Sequence, residues 1–218
     1  MHIPDGFLDP ATAALTYLLM LGYGGYALYK AKQMLSAELV SLVTVLAAAI
    51  FAAQMLNWPL PGGTSLHLVG GALAAILLGP WLGFIALFLV LFIQCVVFHD
   101  GGITTLGANV LNMAIVACLT GYLTYKSALK LIKRWDAARL LGSFIGGWLS
   151  ITIAGLACGL EIGYSPAFPY GVAVTVPIMA GWHAALGVIE GIITALTILY
   201  VARKSPDLIA SEAGVGVA

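Results

Sequence analysis

Met1 and His2 are the two residues best suited to do chemistry. A free amine on Met1, the main-chain nitrogen of residue 2 and Nδ1 of His2 close a five-membered and then a six-membered chelate ring around one cation. The three donors lie nearly in a plane. If the amide nitrogen gives up its proton, such a set suits a metal with a square-planar preference, Ni(II) or Cu(II), better than tetrahedral Zn(II). Because the donors must be deprotonated, binding releases protons and weakens as pH falls through the imidazole range.

The fourth corner needs another nitrogen. His67, at the outer end of an apolar span, is the best placed, and His99 on the same face competes with it. The arm ahead of the first span is long enough: residues 2 to 10, extended at ~3.3 Å each, reach up to about 30 Å. Pro4 and the Asp5-Gly6 pair turn it. A bulky second residue also disfavours removal of Met1.

Further inside lie costly polar groups. His183 and Glu190, seven residues apart and so on one helical face, are either a buried structural pair or a relay for the ion. Gln94, Asn109 and Asn112 are candidates to hydrogen-bond the metal ligands and fix imidazole tautomers. The three cysteines, Cys95, Cys118 and Cys158, sit in apolar stretches with no CxxC spacing and read as small buried hydrophobes.

The elements that must position these groups are membrane spans. Of 218 residues, 61% are hydrophobic and 8% are charged, against roughly 25% charged in soluble domains, and the mean hydropathy is +1.04. No signal peptide is evident, since the first lysine is Lys30, after the first apolar stretch. Apolar windows fall near 11–29, 39–57, 67–79, 82–98, 107–126, 139–161 and 173–201, predicting an all-α integral membrane bundle of about seven transmembrane helices. The basic residues cluster at Lys30/Lys32, between Lys126 and Arg139, and at Arg203/Lys204. Seven crossings put all three clusters on one side, which the positive-inside rule makes cytoplasmic, with the amino terminus outside and the carboxyl terminus inside. The outer face then holds Met1-His2, Asp5, Asp9, the 58–66 loop, His99-Asp100 and Glu161, with no lysine or arginine. Residues 1–204 form one transmembrane domain, with 1–10 as the metal-binding arm and 11–201 as helices; 205–218 read as a flexible cytoplasmic tail. On the second span, Ala48/Ala52 and Ala49/Ala53 are small-residue pairs that allow close approach of another helix of this chain or of a partner.

Zero net charge offers no field for nucleic acid. No GxxxxGK[ST] loop supplies ATP chemistry and no HExxH pair supplies a zinc protease. An intramembrane metalloenzyme built on His67, His99 and His183 would need those three to converge, and a stand-alone permease would have to be driven by protonation of His183 and Glu190.

Several segments resemble the CbiM/NikM family: Met1 to Leu8 (MHIPDGFL), His67 to Trp81, Asp100-Gly101-Gly102, Gly107 to Met113, Gly181-Trp182-His183 and Glu190-Gly191. The similarity is nearer to the nickel branch than to the cobalt branch. It implies the substrate-capture (S) component of an energy-coupling-factor transporter in a bacterial or archaeal cell membrane. The ion, Ni(II) or alternatively Co(II) for cobalamin synthesis, would be held by the terminal amine, the residue-2 amide and imidazole, and a second histidine, here Met1, His2 and His67. The resemblance also implies a transmembrane coupling protein, a separate ABC-type ATPase and a small accessory membrane subunit as partners. No organic cofactor is implied, and the alanine face of the second span would meet the coupling protein.

Overall fold

A computed structural model describes residues 1–212. The chain is helical nearly throughout: α1 (Pro10–Lys32), α2 (Ala37–Gln54), α3 (Gly71–Phe98), α4 (Leu106–Val110) running through a π-helical turn at Leu111–Val116 into α5 (Ala117–Leu131), α6 (Trp135–Tyr164) and α7 (Val172–Lys204). Between α2 and α3 a minimal antiparallel ribbon pairs β1 (Trp58–Pro59) with β2 (Ser65–Leu66). Local signals set the boundaries. The Asp9 carboxylate accepts from the Ala11 and Thr12 amides ahead of Pro10, and Lys30 and Lys32 lie in the last turn of α1, each favourable to the helix dipole. Leu18, Leu21, Val45 and Leu196 stay exposed, as lipid-facing positions should.

Among the described residues six helices are long and apolar enough to span a membrane, not seven. The spans expected at 67–79 and 82–98 are the two arms of α3. A straight helix of its 28 residues would separate its ends by about 42 Å. Instead both ends reach one imidazole: the His67 ring stacks on His2 at 4.5 Å and Gln94 Oε1 lies 3.0 Å from His2 Nε2. The reversal is at Gly79, whose φ of 77° and ψ of 170° only glycine adopts readily. After it, Gly83 packs on the backbone of Ala74 and Ala75. No loop separates the arms, so they form one broken element. The turn reaches the level of Tyr23 and Tyr26 of α1, which pack on Trp81. The doubled-back α3 therefore preserves the sidedness: the three basic clusters share one end of the bundle and Met1 lies at the other.

Glycine sets the tightest helix contacts. Gly121 of α5 lies on Ala72 of α3, and Gly147 of α6 on Gly191 of α7, consistent with close packing through small residues. On α2, by contrast, Ala48, Ala49 and Ala52 remain exposed, so no helix of this chain covers that face.

The segment after Lys204, expected to fray, is packed as far as residue 212 in two short 3-10 turns. Glu212 accepts from Arg139 Nε and Nη2 at 2.9 and 2.7 Å and from the Tyr125 hydroxyl, while Lys126 Nζ donates to the Ser211 carbonyl. Two of the basic residues that marked the cytoplasmic side thus tie this segment down. Residues 213–218 of the expected tail lie outside the described residues.

Candidate metal site

The amino-terminal arm is inserted into the outer end of the bundle. Met1 and Ile3 are fully buried and His2 is 4% exposed. Removing two large apolar side chains from water is worth about 1.5–3 kcal/mol each, and directional bonds set the register. The Ile3 amide donates to Asn109 Oδ1 at 2.8 Å, and the Ile3 carbonyl accepts from Asn109 Nδ2, the Gly102 amide and the Thr105 hydroxyl. Asp5 accepts from the Ile103 and Thr104 amides and the Thr104 hydroxyl. These contacts hold its carboxyl below the usual carboxylate range, the Thr104 hydroxyl foremost.

An alanine methyl at Gly102 would run into the amide and carboxylate of Asp5. Gly102→Ala is therefore expected to displace the arm and weaken metal binding about 10–100-fold, the range for loss of a supporting contact. The melting temperature of the bundle should stay nearly unchanged. Isothermal titration beside a melting curve checks both.

The Met1 amine and the His2 amide converge, donating to Ser65 Oγ at 3.0 and 3.2 Å. The two nitrogens thus sit side by side against one atom. Two hydrogen bonds select the tautomers. His2 Nε2 faces Gln94 Oε1 at 3.0 Å, so it carries the proton and Nδ1 keeps its lone pair. His67 Nδ1 faces the Leu68 carbonyl at 2.7 Å, so Nε2 keeps the lone pair. Both His2 Nδ1 and His67 Nε2 are buried without a hydrogen-bond partner.

Burial makes all three groups weak bases. It lowers the Met1 amine to about 4 and, with the adjacent amine adding to the effect, His2 to about 3; His67 falls well below its ordinary value, again through burial first. At neutral pH the cluster therefore presents lone pairs. Among the described residues no three His, Cys, Asp or Glu side chains are arranged to hold a metal; the donors gathered here are two imidazoles and two main-chain nitrogens.

The expected residues divide clearly. Met1, His2, His67 and Gln94 come together, and Asn109 supports them through Ile3. Asn112 turns away and donates to Glu161 at 2.6 Å. His99 ends α3 in the left-handed region with φ of 54°, exposed at the rim, and it is His67 that stacks on His2.

His183 and Glu190 share a face of α7 but serve different neighbours. The His183 ring packs on Gly155, and its Nδ1 meets the Met179 carbonyl at 2.6 Å. Glu190 accepts from the Val69 and Gly70 amides at 2.7 and 2.9 Å, capping the first arm of α3. Through that backbone it positions His67.

Ser65 was not anticipated. The signal available was its spacing: in an extended segment residues 65 and 67 face the same way.

A family model described as the cobalt uptake substrate-specific transmembrane region matches residues 2–208. A fused NikMN protein of Archaeoglobus fulgidus, named for nickel transport, is 53% identical over 216 residues, covering 99% of this chain and 70% of the relative. The cobalt transport protein CbiM of Sorangium cellulosum is 30% identical, covering 96% of this chain and 94% of the relative. The crystal structure of a truncated transition metal transporter superposes with a TM-score of 0.88 at 38% identity, over 93% of this chain and 99% of that one. Six membrane-capable helices, a buried amino-terminal arm and a family match across nearly the whole length lead to one assignment: the chain belongs to the CbiM family of membrane metal-uptake proteins.

Proposed function

We propose that this chain is the substrate-capture component of an energy-coupling-factor transporter importing Ni(II). The ion is bound from outside by the Met1 amine, the His2 amide nitrogen, His2 Nδ1 and His67 Nε2. One observation carries the reading: two main-chain nitrogens directed at one point, beside two stacked imidazoles whose remaining nitrogens are buried and unpartnered. Burial of lone pairs without donors costs free energy, and a cation would recover it. The nickel name of the Archaeoglobus relative and the planar donor set both favour Ni(II). Co(II), named in the Sorangium relative, is the alternative.

The chain itself catalyses nothing in this reading. A separate ATPase supplies energy through a transmembrane coupling protein, whose docking on α2 is supported by the exposure of Ala48, Ala49 and Ala52. The fused architecture named in the NikMN relative supports an accessory membrane subunit as a further partner.

Titration of the purified chain with Ni(II) tests this. A single site with the yellow, diamagnetic spectrum of square-planar Ni(II) is expected. Because burial already keeps the amine and both imidazoles unprotonated at neutral pH, the proton displaced is that of the His2 amide. About one proton per ion should appear in a weakly buffered titration at pH 7, and affinity should fall as pH decreases. Octahedral absorption bands would contradict the donor set.

A further inference from the structure

The outer approach to His2 contains an opposition of acceptors. With its Nε2 proton given to Gln94, His2 Nδ1 presents a lone pair, and Asp100 Oδ1, itself an acceptor, lies 3.4 Å from it. No hydrogen bond satisfies that nitrogen. Two donors each about 2 Å from one cation stand 3.4 Å apart when they subtend roughly 110° at it. The spacing therefore lets an ion held on the carboxylate reach the nitrogen by a single exchange of ligands.

Asp100 is also the acid whose surroundings leave it available. Asp5 is consumed by the 103–104 turn, Asp9 caps α1 and Glu161 is paired with Asn112. Asp100 has one oxygen on Asn57 Nδ2 at 3.1 Å and a side chain 21% exposed. It lines a cavity of about 210 Å³ shared with His2, Asn57, Ser65 and His99. At about 30 Å³ per water, that volume accommodates a cation with most of its first hydration shell. Among the described residues no lysine or arginine is paired with this carboxylate.

Resting on the capture function above, we propose that Asp100, with Asn57 and His99 at the rim, is a separate docking site for a hydrated divalent transition-metal cation. The ion is received on oxygen, exchanges water there and passes to His2 Nδ1, the first nitrogen it meets. Asp100 is thus a feeder and lies outside the final ligand set.

Stopped-flow mixing of Ni(II) with the purified full chain at low and high salt separates the possibilities. Asp100→Ala is expected to slow association about tenfold or more and to remove most of its salt dependence, as loss of a steering charge does. Stoichiometry and the final absorption spectrum should be unchanged. Asp100→Glu, which keeps the charge, should recover most of the rate. A wild-type rate in Asp100→Ala overturns the proposal, as does a glutamate variant as slow as the alanine one. A changed final spectrum also overturns it, because Asp100 would then be a ligand of the bound state. These failures leave stoichiometric nickel binding intact, whereas failure of the capture function itself would appear as unaltered binding after the amino terminus is blocked.

Discussion

Acetylating the Met1 amine is expected to abolish stoichiometric nickel binding. Two effects act together. The acylated nitrogen has no lone pair to give, so the five-membered ring it would close with the His2 amide is lost. The added acetyl group must also enter a space with no room for it, since Met1 and Ile3 are fully buried and the Met1 nitrogen contacts Ser65 Oγ at 3.0 Å. Loss of a supporting contact around a metal costs about 10–100-fold in affinity, and loss of a chelating ligand should exceed the upper end of that range. The comparison is the same protein with a free Met1 amine, titrated side by side. Equal affinities would show that the ion is held elsewhere.

His67→Ala is the second large effect. It removes the only one of the four proposed donors that lies outside the first two residues and leaves the fourth corner to water. Affinity should drop on the order of 100-fold, with the absorption bands shifting to lower energy as a nitrogen is replaced by oxygen. His99→Ala, changing an exposed imidazole on the same face, should leave affinity and spectrum as they were. The contrast matters because both histidines occupy the outer end of α3, one before its first arm and the other after its second. Because Glu190 caps the Val69 and Gly70 amides, His67 is presented from a clamped backbone. The alanine variant should therefore lose metal without losing the fold, as a melting curve of the metal-free protein will report.

Much of the architecture was legible from composition and charge placement. A chain with 8% charged residues has no means of building a water-facing surface, and the three basic clusters establish sidedness without reference to packing. What misled the helix count was the tight sequence Gly79-Pro80-Trp81. It marks a reversal correctly, but whether the arms on either side are two spans or one broken element depends on how Gly83 seats against Ala74 and Ala75. Polarity alone predicts fraying after Lys204. Burial of Ile209 at 2% exposure and the clasp of Glu212 by Arg139 and Tyr125 are long-range contacts that local composition does not reveal.

The chelating potential of Met1-His2 belongs to the sequence itself, because ring size is set by covalent bonds between adjacent residues and needs no fold. The multi-pass character is likewise sequence-determined, since the cost of burying charge in lipid is paid residue by residue. The choice of His67 over His99, the convergence of two nitrogens on Ser65, the tautomers imposed by Gln94 and Leu68, and the position of Asp100 at the approach were decided by tertiary structure. Each requires atoms far apart in the chain to meet within hydrogen-bonding or stacking distance. Only the doubling back of α3 brings both its ends to the same imidazole.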